Sequence, residues 1–184
     1  MLRTILPVFV VAASLLAVGT DVALAGAPST QEIERTNGGC GVERWTVKTL
    51  QDRPRLRPVR KTTVAALTNR QAPSSLPDSR LPFERSVFRV IAQVVLVREE
   101  DDSDFHLVLS DRGRTMIAEA ADPACAPRAT VLRRKQMAGV RRVIRVCRAV
   151  VVGVAFFDFQ HGQTGVAPNA IELHPILGFR CLSG

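Results

Sequence analysis

Residues 86–120 read SVFRVIAQVVLVREEDDSDFHLVLSDRGRTMIAEA, and this stretch decides the fold. Apolar and polar residues alternate in three segments, residues 87–98, 105–110 and 115–120. A period of two is typical of β-strands that bury one face. An acidic run and a tight turn, in which Gly113 can take a positive φ, separate the segments. The stretch therefore predicts three consecutive strands joined by two short connections.

The alternation also predicts which side chains of these strands lie inside. Phe88 and the alternate residues that follow it share one face of the first strand, and Leu107 and Leu109 share one face of the second. Apolar runs further along the chain extend this core. The predicted buried set is Phe88, Val90, Leu96, Leu107, Leu109, Val152, Val154 and Leu173.

After residue 120 the pattern changes to one helix and two more strands. Residues 128–137 can form a helix that ends at Gly139, and residues 143–157 and 171–179 have the composition of strands. Three strands, a helix and two strands is the order of the OB-fold barrel, whereas an immunoglobulin-like sandwich needs about seven strands. The sequence thus predicts a mainly β fold, an OB-like five-stranded Greek-key barrel with one helix between strands 3 and 4.

The region before the barrel lacks such periodicity. Residues 50–85 carry five prolines, which predicts an irregular N-terminal arm over residues 26–85 and the barrel domain at residues 86–184. Within the arm, residues 45–49 (WTVKT) have the pattern of a short strand, and a short helix fits residues 62–67.

The N-terminus has the features of a secretory signal peptide. Arg3 precedes an apolar run over residues 5–18, and Ala23-Leu24-Ala25 offers the small-x-small pattern that signal peptidase cleaves. The run is shorter than the roughly 20 apolar residues that a membrane-spanning helix needs. We therefore predict a signal peptide at residues 1–25 and a secreted or periplasmic, extracytoplasmic protein with no membrane span after cleavage.

The chain is strongly basic, with a formal net charge of +8 and an isoelectric point near 10.6. The basic residues form two clusters, the first of Arg53, Arg55, Arg57, Arg60 and Lys61 and the second of Arg133, Arg134, Lys135, Arg141, Arg142, Arg145 and Arg148. Such a surface attracts polyanions, and the predicted partner is an anionic polymer, either nucleic acid or a cell-wall polymer. A net charge of this size also serves solubility alone, and composition does not separate the two roles.

Four cysteines, Cys40, Cys125, Cys147 and Cys181, follow the predicted cleavage site. An even number in an exported chain predicts two disulfides, for which three pairings exist. None of the four lies in a CxxC motif, so the sequence disfavours a zinc ribbon or a thioredoxin-like redox site.

Several motifs together resemble a family of exported bacterial proteins of unknown function: CGVERWTVKT at 40–49, DDSDFHLVLSD at 101–111, TMIAEAADPAC at 115–125 and GVAFFDFQHGQTGVAPNAIELHP at 153–175. The resemblance spans most of the chain after the predicted signal peptide. It implies secretion and a shared architecture but no activity. It also implies that Cys40 and Cys125 are the pair shared by the family, and that Cys147 and Cys181 are an addition in this chain.

The last two strands favour the same pairing. If they form a hairpin around residues 162–165, Cys147 and Cys181 lie almost opposite each other at its open end. The apolar alternation places the two cysteines on opposite faces, so a β-bulge at Gly153 or Pro175 is required.

Polar residues on the second and third strands are predicted to meet. Asp104 and His106 share a face, and a turn at residues 112–113 places His106 opposite Glu119. The pair fits half of a metal site, an acid–base pair, or an ordinary ion pair on the sheet surface. The sequence leaves these three interpretations open.

Residues 158–175, DFQHGQTGVAPNAIELHP, hold two of the three histidines. Gln163, Asn169 and the glycines can satisfy the backbone of a loop that folds back over the barrel. Imidazole and carboxylate groups suit zinc or another divalent ion, which makes a divalent metal the candidate cofactor. We expect at least two of His161, Glu172 and His174 to converge with Asp104 or His106 on one rim. The candidate rim for a ligand or metal is Asp104, His106, Glu119, Asp158, His161, Asn169, Glu172 and His174.

The predicted function is a secreted OB-like binding module for an anionic polymer or an oligosaccharide-type ligand. By analogy with the loops that OB barrels use, its site would lie between the 158–170 loop and the acidic turn at 99–104. The alternative is a metal-dependent hydrolase that uses Asp104, His106, His161, Glu172 and His174. The layout is also similar to the staphylococcal-nuclease family, a secreted OB barrel with an acidic first turn. Ile117 stands where that family has a phosphate-binding arginine, and this departure puts nuclease activity in doubt.

Overall fold

The computed structural model describes residues 39–183, so the predicted signal peptide at residues 1–25 lies outside the described residues. The elements in chain order are helix α1 (Trp45–Lys48), strand β1 (Val59–Lys61), helix α2 (Val64–Thr68), a 3-10 helix (Pro82–Arg85), strands β2 (Val87–Glu99), β3 (Phe105–Asp111) and β4 (Arg114–Ala120), a second 3-10 helix (Pro123–Cys125), helix α3 (Val131–Arg141), and strands β5 (Arg148–Phe157) and β6 (Ile171–Cys181). Within the described residues, none of these helices has the length and apolar character needed to cross a membrane.

Strands β2 to β6 close into a five-stranded barrel. The order is β2-β3-β4-β6-β5, and β5 pairs back onto β2. All neighbours are antiparallel except β4 and β6, and α3 lies between β4 and β5 in the chain. This order and the position of the helix are those of an OB-like barrel, so the predicted fold class is confirmed. Strand β1 adds to β2 in parallel, outside the closed ring.

The β3–β4 hairpin follows directly from its turn. Arg112 and Gly113 both have positive φ, at 48° and 75°, as the two central residues of a type I′ turn require. A two-residue loop fixes the register of the strands it joins, and His106 pairs with Glu119 as the sequence predicts.

Six of the eight predicted core residues are buried, and the two exceptions have a local cause in the sheet. The pairing of β2 with β3 shifts between Val94 and Leu96, which leaves Leu96 half-buried and brings Val97 against the interior instead. Val152 is also half-buried, on the outer side of β5 beside an irregular pairing at Gly153. A bulge reverses which side chains of a strand point inward. A prediction from strict alternation cannot show where this reversal occurs.

The arm differs from the prediction at its start. The strand predicted over residues 45–49 is wrong: residues 45–48 form the helix α1, in which the amide of Lys48 donates to the carbonyl of Arg44, and Thr49 caps it. Tertiary contacts override local propensity here, because the Trp45 indole donates to the carbonyl of Cys125 at 2.9 Å. Further along, α3 does not stop at Gly139 but continues to Arg141.

Both predicted disulfides are present, Cys40–Cys125 and Cys147–Cys181. The first ties the arm to the 3-10 helix after β4, and the second closes the open end of the β5–β6 pair. The β5–β6 register shifts on both sides of Gly153, which is the irregularity that the cysteine parity required.

The arm divides the outer face of the barrel sheet into two halves. The covered half comprises residues 154–157 of β5 and 171–174 of β6; there Arg44 and Lys48 lie over the Phe156 ring, and Leu50 packs with Val154 in a second apolar cluster. The open half comprises residues 148–152 of β5 and 178–180 of β6 and continues into β2 and β1; there Arg148 and Arg180 are exposed, whereas Val150 is buried and Val152 packs at the edge of the second cluster. The candidate site lies at the edge of the covered half.

Candidate ligand pocket and buried charge cluster

A pocket of about 560 Å³ opens between the arm, the β2–β3 turn and the β5–β6 loop. Residues 41–45 form one wall, residues 98–102 the second and residues 161–164 the third. The sequence predicted that the acidic turn and the 158–170 loop share a surface; the structure adds the arm as its third side. Lys48, Glu119 and Asp158 lie at the pocket floor, where it meets the barrel.

The pocket is acidic although the chain is basic. Seven of its side chains carry a carboxyl group, against the two cations Lys48 and Arg98. Burial, reinforced by the nearby Asp104 carboxylate, raises the pKa of Asp102 to about 6. Such a lining attracts cations and repels anions, so the pocket is unsuited to an anionic polymer.

Behind the pocket, six of the eight predicted rim residues converge on the outer sheet face. Each is at most 5 % exposed, whereas charged residues are seldom buried without partners. Strand geometry accounts for the convergence, because His106 pairs with Glu119 and the parallel β4–β6 ladder adds residues 172 and 174 on the same face. The six residues are Asp104, His106, Glu119, Asp158, Glu172 and His174.

His174 lies between two carboxylates. Its Nε2 is 3.2 Å from Asp104 Oδ2 and its Nδ1 is 2.7 Å from Glu119 Oε2. These contacts are ion pairs and not aligned hydrogen bonds, because both ring nitrogens lack a partner in hydrogen-bond geometry. Burial alone would lower the pKa of His174, but the carboxylates of Glu119 and Asp104 raise it to about 10.

The ring of His174 joins two carboxylates in an ion network. Its two nitrogens point in diverging directions, so an ion bound at one nitrogen would not lie beside the oxygens on both sides of the ring. One ligand atom from each of Asp104, Glu119 and His174 nevertheless lies within 4.8 Å of the others.

Lys48 of the arm also belongs to this ion network. Its Nζ is 2.7 Å from Asp158 Oδ2 and 3.9 Å from Glu119 Oε2. Burial would lower the pKa of Lys48, but the surrounding carboxylates of Asp158, Glu119 and Glu172 raise it well above its usual value. Lys48 therefore stays protonated, which excludes it as a nucleophile or general base near neutral pH.

The two glutamates of the network have opposite protonation tendencies. Burial would raise the pKa of Glu119, but the charges of Lys48 and His174 hold it well below the usual range. Burial together with Glu119 and Asp158 raises the pKa of Glu172 well above its usual range. These opposite shifts of the two pKa values limit the repulsion among the buried carboxylates.

His106 faces away from this network towards the pocket wall. Its Nε2 lies 2.9 Å from the carbonyl oxygen of Thr164, and its Nδ1 lies 3.4 Å from Glu119 Oε1 and 3.5 Å from Glu100 Oε1. Burial would lower the pKa of His106, whereas Glu119 and the Thr164 carbonyl raise it above its usual value. Of the three interpretations of the His106–Glu119 pair, the surface ion pair is wrong, because the loop and the arm bury both side chains.

The other two predicted rim residues lie apart from the cluster. His161 is on the pocket wall, where its Nε2 is 2.8 Å from Glu43 Oε2. Asn169 donates to the carbonyls of Leu67 and Arg70 and so holds the loop against α2. Asn169 therefore has a structural role.

The 158–170 loop satisfies much of its own backbone, as expected from its composition. Gln163 donates to the carbonyl of Phe159 and accepts from the amide of His161. Gln160 donates to the carbonyl of Pro168 at 3.0 Å. A side chain at Gly165 would place its Cβ 2.6 Å from Val108, so the loop lies directly on β3.

Sequence reasoning missed the arm residues that complete the cluster. Arg44 forms a bidentate, buried ion pair with Glu84 and also donates to the carbonyl of Phe157. Lys48 lies in the helix α1, whereas Arg44 precedes the helix as its N-cap, with left-handed backbone at a φ of 48°. Predicting this segment as a strand concealed both positions.

Neither a protein-family model nor a curated protein matches this chain. Among solved structures, it is similar to an Entamoeba histolytica asparaginyl-tRNA synthetase, with 11 % identity over 69 % of this chain and 24 % of that chain, at a TM-score of 0.41. It is also similar to a protein described as an aspartyl-tRNA synthetase from Leishmania major Friedlin, with 15 % identity over 67 % of this chain and 22 % of that chain, at a TM-score of 0.43. This chain thus spans about a quarter of the length of either protein. At this identity and TM-score, the likeness carries no argument about ligand or activity.

Proposed function

We propose that this protein is an extracytoplasmic OB-like binding module that takes an anionic polymer on the open half of its barrel sheet. The observation that carries the proposal is the charge of the outward positions on four adjacent strands. They hold Lys61 of β1, Arg89 of β2, Arg148 of β5 and Arg180 of β6. The parts of these strands that lie in the open half, residues 59–61, 89–93, 148–152 and 178–180, contain no aspartate or glutamate.

The register brings these cations onto one continuous surface. Lys61 lies beside Arg89, and Arg180 lies beside Val150, which in turn pairs with Ile91. None of the four basic residues forms an ion pair with another part of the described chain. Unpaired cations on a sheet are free to neutralise the charges of a polyanion.

The pocket is the less suitable place for such a ligand because its lining is acidic. The polymer is therefore assigned to the open half and not to the loop and turn that the sequence favoured. A site of action outside the cytoplasm is supported by the two disulfides and by the resemblance to exported bacterial proteins. Hydrolysis by the rim residues is not proposed, because His174 and Lys48 are held as cations within an ion network.

Fluorescence anisotropy with a labelled single-stranded oligonucleotide tests the proposal, with an anionic polysaccharide as the second probe. For a single strand, log Kd should rise with log salt by about 0.7 for each phosphate contact. The double substitution Arg148→Gln/Arg180→Gln should weaken binding and lower this slope by about 1.4, because two contacts are lost.

The matched control is Arg112→Gln/Arg114→Gln, which removes the same charge at the exposed β3–β4 turn. It should bind both probes nearly as the unmodified protein does. Equal loss in the two double variants would mean that net charge alone drives association, and the open half would then have no special role.

A further inference from the structure

The arrangement around His106 has a feature that the ion network does not explain. The Nε2 atom of His106 lies 2.9 Å from the carbonyl oxygen of Thr164. Because a carbonyl oxygen can only accept a hydrogen bond, Nε2 carries a hydrogen, and Nδ1 is the ring atom on the other side that a metal ion could take in place of a proton. A histidine held in this way by a backbone carbonyl has the orientation common among metal ligands.

The Nδ1 atom points at two carboxylate oxygens and has no hydrogen-bond partner. His106 is fully buried, and its Nδ1 lies 3.4 Å from Glu119 Oε1 and 3.5 Å from Glu100 Oε1. A buried ring nitrogen beside two carboxylates calls for a positive charge between them, which either a proton on Nδ1 or a bound cation can supply.

The spacing of the three atoms fits a tetrahedral ion. Bonds of about 2.0–2.2 Å at the tetrahedral angle place neighbouring ligand atoms about 3.3–3.6 Å apart. The two distances from His106 Nδ1 fall in this interval, and all three atoms lie within 4.8 Å of one another. Two of the three distances between the ligand atoms therefore match those around a small tetrahedral cation.

The two carboxylates have oxygens available for such an ion. Glu119 uses Oε2 for His174, which leaves Oε1 to face His106. Glu100 Oε1 also accepts from Arg98 at 2.8 Å, and a carboxylate oxygen has a second lone pair. Arg98 would thus position the Glu100 carboxylate without blocking it.

We propose that Glu100, His106 and Glu119 are the three protein ligands of a divalent transition-metal ion of the zinc class. Both glutamates line the pocket, so the fourth coordination position opens into it. Structural zinc sites have four protein ligands, whereas a site with three protein ligands leaves the fourth position for water or another small ligand. This site uses none of the residues of the open half and is independent of polymer binding there.

The chemistry of the ligands selects the ion. An imidazole ligand suits zinc, copper, iron or nickel, whereas calcium and magnesium prefer oxygen ligands. The chain's thiols do not compete, because the structure has no free cysteine among the described residues and all four cysteines of the sequence are in disulfides.

Calorimetric titration of the tag-free, chelator-treated protein with Zn²⁺ tests the proposal. One ion should bind per chain, and Glu100→Gln should weaken the affinity by at least about tenfold. Substitutions of residues that only hydrogen-bond a metal ligand already have effects of that size. Glu100 is only partly buried, on a turn, so this substitution spares the fold. Co²⁺ in place of Zn²⁺ should give the visible absorption bands of a four-coordinate ion, and Glu100→Gln should remove them.

Two variants serve as matched controls. Glu99→Gln removes a carboxylate from the same pocket one residue away, and His161→Gln removes the pocket's other imidazole. Both should bind Zn²⁺ within about twofold of the unmodified protein, because neither residue faces the Nδ1 of His106. If Glu99→Gln and Glu100→Gln weakened Zn²⁺ binding equally, the negative charge of the pocket as a whole would explain the binding, and Glu100 would not be a ligand. Loss of binding in His161→Gln alone, or no stoichiometric binding at all, would overturn the assignment.

Discussion

The covered and open halves of the β5–β6 pair carry charged residues on the same outer face of the same two strands. The charges of the covered half are buried and paired, whereas those of the open half are exposed and unpaired. In the covered half, Glu172 and His174 are fully desolvated and tied to Lys48 of the arm through Asp158 and Glu119. In the open half, Arg148 and Arg180 are exposed and unpaired. Buried charges of opposite sign pair with each other and hold the arm on the barrel. Exposed charges of a single sign have no such partners and can bind another molecule.

The boundary between the halves is the irregular pairing at Gly153. A Cβ there would lie 2.8 Å from the Cβ of Leu173, so only glycine lets the two strands approach so closely. Past this point the bulge changes which residues of β6 face outward, and the arm can pack on an outer surface that holds Phe156 and His174.

The largest expected difference between the halves is in the effect of removing one cation. Lys48→Met leaves Asp158 and Glu119 buried without their partner, and the free energy of unfolding should fall by about 3–5 kcal/mol. Arg148→Met removes an exposed, unpaired cation and should change it by less than about 0.5 kcal/mol. Urea denaturation monitored by circular dichroism measures both. Similar values for the two variants would mean that the covered network contributes no more to stability than a surface residue.

A second comparison tests how tightly the 158–170 loop packs on the covered side. Gly165 and Gly162 both have positive φ, at 84° and 77°, so an alanine at either position carries a backbone cost of about 1–2 kcal/mol. Gly165→Ala also forces a Cβ against Val108, whereas Gly162→Ala meets nothing within 4 Å. We expect Gly165→Ala to destabilise by about 1–3 kcal/mol more than Gly162→Ala, because overpacking has that cost. Equal thermal unfolding midpoints would show that the loop is not seated on β3.

The smallest expected effect is the change in the free energy of unfolding per pH unit that His174 of the covered half produces. Because the folded pKa of His174, about 10, lies above its unfolded value near 6.5, the folded state holds one more proton between these pH values. The stability from this group is complete below about pH 6.5 and is lost as the pH rises through about 10, at about 1.4 kcal/mol per pH unit. Asp104, Glu119, Glu172 and Lys48 are the charged groups that surround the ring.

Denaturation at pH 8 and pH 9 in the presence of a chelator measures this slope. The chain has no tyrosine, which removes one group that would titrate near the same pH. His174→Gln should lack the slope, and the imidazole resonance of the unmodified protein should not shift below pH 9. Identical slopes in the two proteins, or a ring that titrates near pH 6.5, would contradict the network.

The parts of the structure that could be predicted depend on local rules. The barrel order and the His106–Glu119 pairing follow from strand alternation and from a two-residue turn, both of which are written in adjacent residues. The pairing Cys147–Cys181 follows from the same hairpin geometry. Leu96 was placed wrongly because one bulge reverses a period-two pattern, and the helix at residues 45–48 was missed because contacts from distant parts of the chain support it.

The fold class, the register of the β3–β4 hairpin and the residue types available for any site follow from the sequence alone. Which of those residues are charged, buried and adjacent depends on tertiary contacts, because these properties are set by what covers them. Lys48 reaches Asp158 and Glu119 from a helix far away in the chain, and Glu100 comes to His106 at the end of a turn. The free energy of a buried charge is set by the distances to its neighbours and by the water excluded around it, and neither quantity has a signature in a stretch of adjacent residues.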